Sequence, residues 1–307
     1  MDSFYWFNNF TFIPGEPTLD PSMISIPQLW SNSSLANQVG VHAYSKRNPW
    51  FSPGSAPHYS PCGVAGGNPT GCPKGSKDQK IGDECGPQGG WAYGPKAEDY
   101  YIAPGFPDVV TTEWKAGDVV EVAWGMTANH AGGYAYRLCK VPEEGMGALT
   151  EECFQQGHLE FFGNMQAVQT GENVSSRVEF EAHRTKEGTF PKGSQWTRNP
   201  IPNCLFTDTP GRYGAYGLYD DPQCKIGTQF PAPGPGIFGY GGIEIPDPSL
   251  EFKSSEFNDF QPSFNFSIVD QLKVPSHLTP GDYVLSFRWD CEETSQIWAT
   301  CSNIKIV

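Results

Sequence analysis

No stretch of this 307-residue chain approaches the ~20 consecutive apolar residues that carry a helix across a bilayer, so a transmembrane helix within it is excluded. Sustained 3.6-residue periodicity is nearly missing too. Short alternating runs stand between 35 Gly and 28 Pro, the pattern of short strands joined by long surface loops. Basic residues are outnumbered: 20 Lys and Arg against 34 Asp and Glu leave a formal net charge of −14. Such a chain repels polyanions, so neither nucleic acid nor anionic lipid is an expected partner. The nine Cys include no C-x-x-C pair and stand singly at turn-rich positions, which favours disulfides in an oxidising compartment over a zinc site. There is no G-x-S-x-G elbow, and a Cys nucleophile conflicts with oxidised Cys. The Gly-rich segments lack the strand-loop-helix context and the Lys of a phosphate cradle. Ser- or Cys-based hydrolysis and nucleotide binding are therefore set aside.

What is present is a set of short alternating segments. Strands are expected at 111–114, 119–126, 133–139, 177–182, 264–274, 283–290 and 303–307. In the last long run Tyr283, Leu285, Phe287 and Trp289 share one face, and Val284, Ser286 and Arg288 the other, as in a half-buried antiparallel strand. Seven short strands of this kind predict an all-β fold, an immunoglobulin-like antiparallel β-sandwich with long disulfide-stabilised loops. The domain reading is an aromatic- and Pro-containing extension at 1–40 followed by a single domain at 41–307. Local bridges are expected between Cys139 and Cys153, Cys204 and Cys224, and Cys291 and Cys301, with Cys62, Cys72 and Cys85 supplying one more and leaving one thiol over. Asn-x-Ser/Thr triplets at Asn9, Asn32, Asn173 and Asn265 agree with an extracellular, secreted or cell-wall glycoprotein. The first residues, MDSFYWFNNFTFIPG, do not read as a secretory signal, so the expectation is either a leader missing from this sequence or secretion by a signal of another kind.

The candidate chemistry is sparse. His130 follows Asn129 and precedes the Gly132-Gly133 pair, which would hold an imidazole, a good copper or zinc ligand, at a strand end. The competing reading is a turn histidine bonded to backbone. His42 and His58 are the other N-terminal histidines that could complete a pair; His158, His183 and His277 are expected to be solvated. Adjacent acids such as Glu151-Glu152, Asp220-Asp221 and Glu292-Glu293 point to opposite faces of a strand and form no glycosidase couple. A surface ion pair of Glu293 with Arg288 is the plain reading of the last. Aromatic residues make up 14% of the chain. Most belong in a core, whereas Tyr216, Tyr219, Phe238 and Tyr240 on the long loop between 200 and 262 are candidate sugar-stacking residues.

The segments TANHAGGYAYRLC, LTEECF, WTRNPIPNC, FPAPGPGIFGYG and IVDQLKVPSHLTPGDYVLSFRWDCEETSQIWATC, taken together, resemble the lytic polysaccharide monooxygenase and chitin-binding type 4 superfamily, over roughly 41–307. The resemblance implies a β-sandwich whose enzymes hold copper in a histidine brace and act on structural polysaccharides such as chitin or cellulose. Carried onto this chain, His130 would be the second brace histidine, Trp298 would lie near the axial position, and Gln296 or Glu292 would orient oxygen species. A brace also needs a free α-amino group on a histidine. His42, near the Ser45-Lys46-Arg47-Asn48 counterpart of the family's Ser-Arg-Asn element, supplies it only if the chain is cut after Val41. The expectation is therefore a polysaccharide-binding or extracellular-matrix protein without a complete copper brace. The alternative is a copper-dependent oxidative polysaccharide-cleaving enzyme that uses a processed His42.

Overall fold

Alternation at period 2 builds the molecule almost entirely from strands. The computed structural model describes residues 9–11, 54, 61–63, 97, 111–126, 129, 131–171, 173–187, 189–202, 227–228, 230–239, 266–290 and 297–307. In chain order these hold β1 (Asn9–Thr11), β2 (Thr112–Trp114), β3 (Val119–Trp124), β4 (Gly133–Lys140), α1 (Glu151–Gln156), β5 (Glu160–Phe161), β6 (Met165–Gln169) and β7 (Arg177–Glu181). There follow β8 (Arg184–Thr185), β9 (Trp196–Arg198), β10 (Ser267–Lys273), β11 (Gly281–Asp290) and β12 (Ile297–Ile306). The larger sheet runs β1-β12-β11-β4-β9-β8 with β2 also on β12, and the smaller runs β3-β10-β6-β7 with β5 also on β10. All pairings are antiparallel except that of β2 with β12.

The fold is an all-β sandwich. Its interior is made where Tyr134, Tyr136, Leu138, Tyr283, Leu285, Phe287, Trp289, Ile304 and Ile306 of the larger sheet meet Val122, Trp124, Val168, Ile268 and Leu272 of the smaller. Trp124 lies at the centre, with ring centroids 4.8 Å from Tyr134, 4.8 Å from Phe287 and 5.4 Å from Trp289. Each such side chain contributes about 1.5–3 kcal/mol by leaving water.

β11 departs from the half-buried strand read from its alternation. Val284, Ser286, Arg288 and Asp290, on its other face, are buried as well, because α1 and a segment near Cys62 cover that side. Thr150 caps α1 by accepting from the Cys153 amide at 3.3 Å, and Glu151 and Glu152 suit the positive N-terminal end. The helix closes on Gly157, where a Cβ would stand 1.8 Å from the Leu138 carbonyl oxygen. Only Gly lets this turn approach β4 so closely, and Leu138 N donates to Gly157 O at 2.8 Å there.

The disulfides confirm one expected bridge and overturn another. Cys139 on β4 is joined to Cys153 on α1. Cys301 is joined to Cys62, 239 positions earlier, and not to Cys291. The register gives the reason. Asp290 faces Ile297 while Cys301 faces Ser286, four residues or about 14 Å along the ladder. The end of β11 and Cys301 thus stand apart by more than the ~7 Å Cα separation a disulfide spans. Cys301 lies inside a ten-residue strand and does not open a short one at 303. Cys204 and Cys224 lie outside the described residues. Strands β1, β5, β6, β8 and β9 had no counterpart among the expected seven.

Candidate functional site

Asn129 ties one end of the sandwich together. It is fully buried, and its amide nitrogen donates to Ile201 O at 2.8 Å and Gly239 O at 3.0 Å. Its side-chain oxygen accepts from Ala131 N at 2.9 Å and Asn199 Nδ2 at 2.8 Å. One side chain thus uses both donors and both acceptor positions of its amide to join segments 129–132, 199–202 and 237–239. Asn199 repeats the device, its oxygen accepting from Ile201 N at 3.1 Å and its backbone N donating to Gly132 O at 2.9 Å. Ala131 sits at φ 55, a left-handed conformation that costs a non-Gly residue energy and persists only when its surroundings enforce it. The enforcing contacts are the Asn129 bond and the Trp289 indole, which donates to Ala131 O at 2.7 Å.

Of the residues assigned from sequence to a copper or sugar-stacking site, two are described. Trp298 stands on β12 opposite Trp289, not on the hairpin loop. The two indoles stack with centroids 6.2 Å apart, and Trp298 leans on the core. Phe238 is half-buried beside the buried Ile237, in the segment whose Gly239 is held by Asn129. His130, His42, Glu292, Gln296, Tyr216, Tyr219 and Tyr240 lie outside the described residues. Among the described residues no group of three or more His, Cys, Asp and Glu could hold a metal. The copper ligands that the resemblance implies, His130 and His42, are not among the described residues.

Two charged clusters were not anticipated. Inside the sandwich, Asp270 on β10 accepts from Tyr134 Oη at 2.5 Å, and Gln166 Nε2 donates to that hydroxyl at 2.9 Å and to Asp270 Oδ1 at 3.4 Å. Arg184 reaches the same carboxylate at 3.4 Å. Burial pushes the Asp270 carboxyl up to about 6, against the pull of these bonds. Burial, with Asp270 beside it, also raises Tyr134 well above the ordinary phenol range, so the phenol stays a donor.

On the outer face of the larger sheet, Arg137 pairs with Glu151, and Arg288 bonds Asp290 at 2.7 Å and Glu151 at 3.3 Å. Arg137 also donates to Ser286 Oγ at 2.9 Å. Arg288 is thus a buried residue, not a surface one, paired with Asp290 on its own strand and with Glu151 on α1; Glu293 lies outside the described residues. Over this cluster lies the Cys62 segment: Gly54 N donates to Asp290 Oδ2 at 2.8 Å, and Ser286 Oγ donates to Pro61 O at 2.6 Å. Gly54 is at φ +83, and a Cβ there would fall 2.0 Å from Phe190 O, so no other residue fits. His158 is half-buried against the Trp196 ring, with centroids 5.9 Å apart, and is not solvated as expected. Burial first, then the Arg137 and Arg288 charges, lower its imidazole to about 3. His183 and His277 are exposed.

The signal for these residues was a single charge inside an apolar run: Arg137 in YAYRLC, Arg288 in LSFRWD and Asp270 in SIVDQLK. A charge at such a position is retained only with partners.

No family model matches the chain. Among solved structures it is similar to a lytic polysaccharide monooxygenase of family AA15 from Thermobia domestica in the Cu(I) state, at 13% identity and a TM-score of 0.29, covering 68% of this chain and 74% of that one. It is also similar to CelS2, a cellulose-active lytic polysaccharide monooxygenase in complex with copper, at 13% identity and a TM-score of 0.29, covering 80% of this chain and 72% of that one. Likeness at this level assigns neither activity nor ligand, and the functional reading rests on the chain's own residues.

Proposed function

We propose that this chain is an extracellular polysaccharide-binding or matrix protein that meets a neutral structural polysaccharide, such as chitin or cellulose, at the loop end braced by Asn129. The observation that carries this reading is the tying of three loop segments, 129–132, 199–202 and 237–239, through one buried amide. Rigid polymers are bound best by surfaces ordered in advance, since loops that order on contact lose affinity to entropy. The acidic balance of 34 Asp and Glu against 20 Lys and Arg favours a neutral polymer over a polyanion. Two disulfides, Cys62–Cys301 and Cys139–Cys153, fit an oxidising compartment.

The test is depletion of the secreted full chain from solution by insoluble chitin and cellulose, with Asn129→Ala compared at a temperature where circular dichroism shows both forms folded. Binding by the natural chain and its loss in the folded variant are expected. Failure of the natural chain to bind either polymer, or equal binding by both forms, overturns the reading. Titration with copper(II) followed by electron paramagnetic resonance separates a binding protein from the copper enzyme that His130 and a processed His42 would make.

A further inference from the structure

We propose that Asn173, at the tip of the β6–β7 hairpin, is an N-glycosylated residue of this protein. Four triplets of the type Asn-x-Ser/Thr occur in the chain. Asn32 and Asn265 lie outside the described residues, and Asn9 belongs to β1, paired along β12 opposite Ala299. Asn173 alone among them is described on a turn. It is exposed, as is Ser175, and the hairpin around it is closed by Ser176 N donating to Asn173 O at 2.9 Å and Ser176 Oγ donating to Gly171 O at 3.3 Å.

The chemistry of the acceptor is matched by its local geometry. The Asn173 side-chain oxygen accepts from Ser175 N at 3.1 Å, an Asx turn that folds the side chain back over its own triplet. The carbonyl end is thereby engaged while Nδ2, the atom that must react, donates to nothing among the described residues. The Ser175 hydroxyl belongs to the same short turn as the amide, and Ser175 is exposed to solvent. An acceptor embedded in a ladder, such as Asn9, has an extended backbone instead and cannot make this turn without leaving the sheet.

The co-reactant is a polyprenyl diphosphate carrying an oligosaccharide. Asn173 Nδ2 attacks C1 of the first sugar, and the N–C1 bond forms as the C1–O bond to diphosphate breaks. The electron pair of that bond leaves with the polyprenyl diphosphate, the amide gives up one proton, and nothing is oxidised or reduced. The glycan takes a defined place. Gln169, the last residue of β6, faces Ser267, and the next residue of β10, Ile268, faces Trp124 at the end of β3. The hairpin tip therefore projects from the end of the sandwich at which β3 runs out toward Asn129, with β6 two strands or about 10 Å across the sheet from β3. A glycan there borders the braced loops and leaves the sheet faces uncovered.

The test is to secrete the full chain from eukaryotic cells behind a cleavable leader, treat it with a peptide-N-glycosidase in heavy-oxygen water, and map the peptide that contains position 173 by mass spectrometry. Conversion of Asn173 to labelled aspartate in most of the molecules supports the assignment. Ser175→Ala retains the backbone amide that makes the Asx turn but lacks the hydroxyl, so its modification is expected to vanish; Ser175→Thr is expected to keep it. An unmodified Asn173 peptide from the secreted natural chain, or undiminished labelling in Ser175→Ala, overturns the proposal. Neither result depends on whether the protein binds a polysaccharide.

Discussion

The two faces of the larger sheet both bury charge, and they do so on opposite terms. Inside the sandwich one acid, Asp270, is met by two neutral donors, Tyr134 and Gln166, and by an arginine at 3.4 Å. On the outer face two guanidinium groups, Arg137 and Arg288, share two carboxylates, Glu151 and Asp290. The inner acid is pushed up to about 6, while the base beside the outer cluster, His158, is driven down to about 3. Burial acts on both. Burial disfavours the charged form, so it raises the acid and lowers the base; the partners differ in that Tyr134, Arg184 and Gln166 oppose the shift of Asp270, whereas Arg137 and Arg288 add to that of His158. The inner cluster resembles a polar clamp that is most secure when its acid holds a proton, whereas the outer one is a compensated set of ions that fails when any member is lost.

The largest break in this comparison comes from the covalent cover of the outer face. Replacing both Cys62 and Cys301 by Ser releases the segment that bonds Asp290 and Ser286, and the entropy of so long a loop predicts a loss of about 5 kcal/mol, against about 3 for the Cys139–Cys153 pair. Hydrogen exchange should then quicken at the amides of Arg137 and Arg288 ahead of those of Val168 and Asp270. Equal quickening on both faces would show that the cover serves the whole sandwich.

Next in size is Arg288→Met, which leaves Glu151 and Asp290 buried with half their cationic partners. A loss of about 3–5 kcal/mol is expected in chemical unfolding, larger than for any single change in the inner cluster.

The pH dependence sharpens the contrast further. Asp270 has a folded value of about 6 above an ordinary 3.8; its contribution is full below pH 4 and lost as pH rises through 6, about 3 kcal/mol in all. His158 has a folded value of about 3 below an ordinary 6.5; its contribution is full above pH 6.5 and lost as pH falls toward 3. The slopes oppose each other between pH 4 and 6. Unfolding free energies measured over that range should rise with pH in Asp270→Asn and fall with pH in His158→Gln, and parallel slopes in the two variants would refute the assignment.

Smallest is Thr150→Ala, which removes the cap of the helix carrying Glu151 and Cys153. It should cost about 1 kcal/mol in thermal unfolding and leave the Asp270 titration where it was.

Much of the sandwich was legible because period 2 survives in β3, β4, β10 and β11, and because Cys139 and Cys153 are near neighbours in the chain. Of the ten strand residues of β12 only the last four fell within the expected strand, since its first half alternates poorly and holds Cys301, which suggested a loop end. α1, at six residues, is too short for periodicity, although Thr150-Glu151-Glu152 is a readable cap. The Arg288 partner was sought nearby in sequence at Glu293, whereas strand geometry puts Asp290 on its face and the fold brings Glu151 from 137 positions away. Asn129 was visible only as a neighbour of His130. Its role as a knot requires Ile201 and Gly239, 72 and 110 positions on, and no local pattern encodes such a meeting.

Cys62 and its partner, 239 positions apart, also set an order of events during synthesis. β11, the strand between β4 and β12, spans Gly281–Asp290 and β12 spans Ile297–Ile306, so the larger sheet cannot close until residue 306 has been made. At about 5–20 residues per second, Cys62 waits on the order of ten seconds or more as a free thiol, with Cys72 and Cys85 emerging long before Cys301. The first partners available to it are the wrong ones. A cell making this protein needs a disulfide-exchange catalyst at hand, and its yield should follow the supply of that catalyst more closely than the temperature.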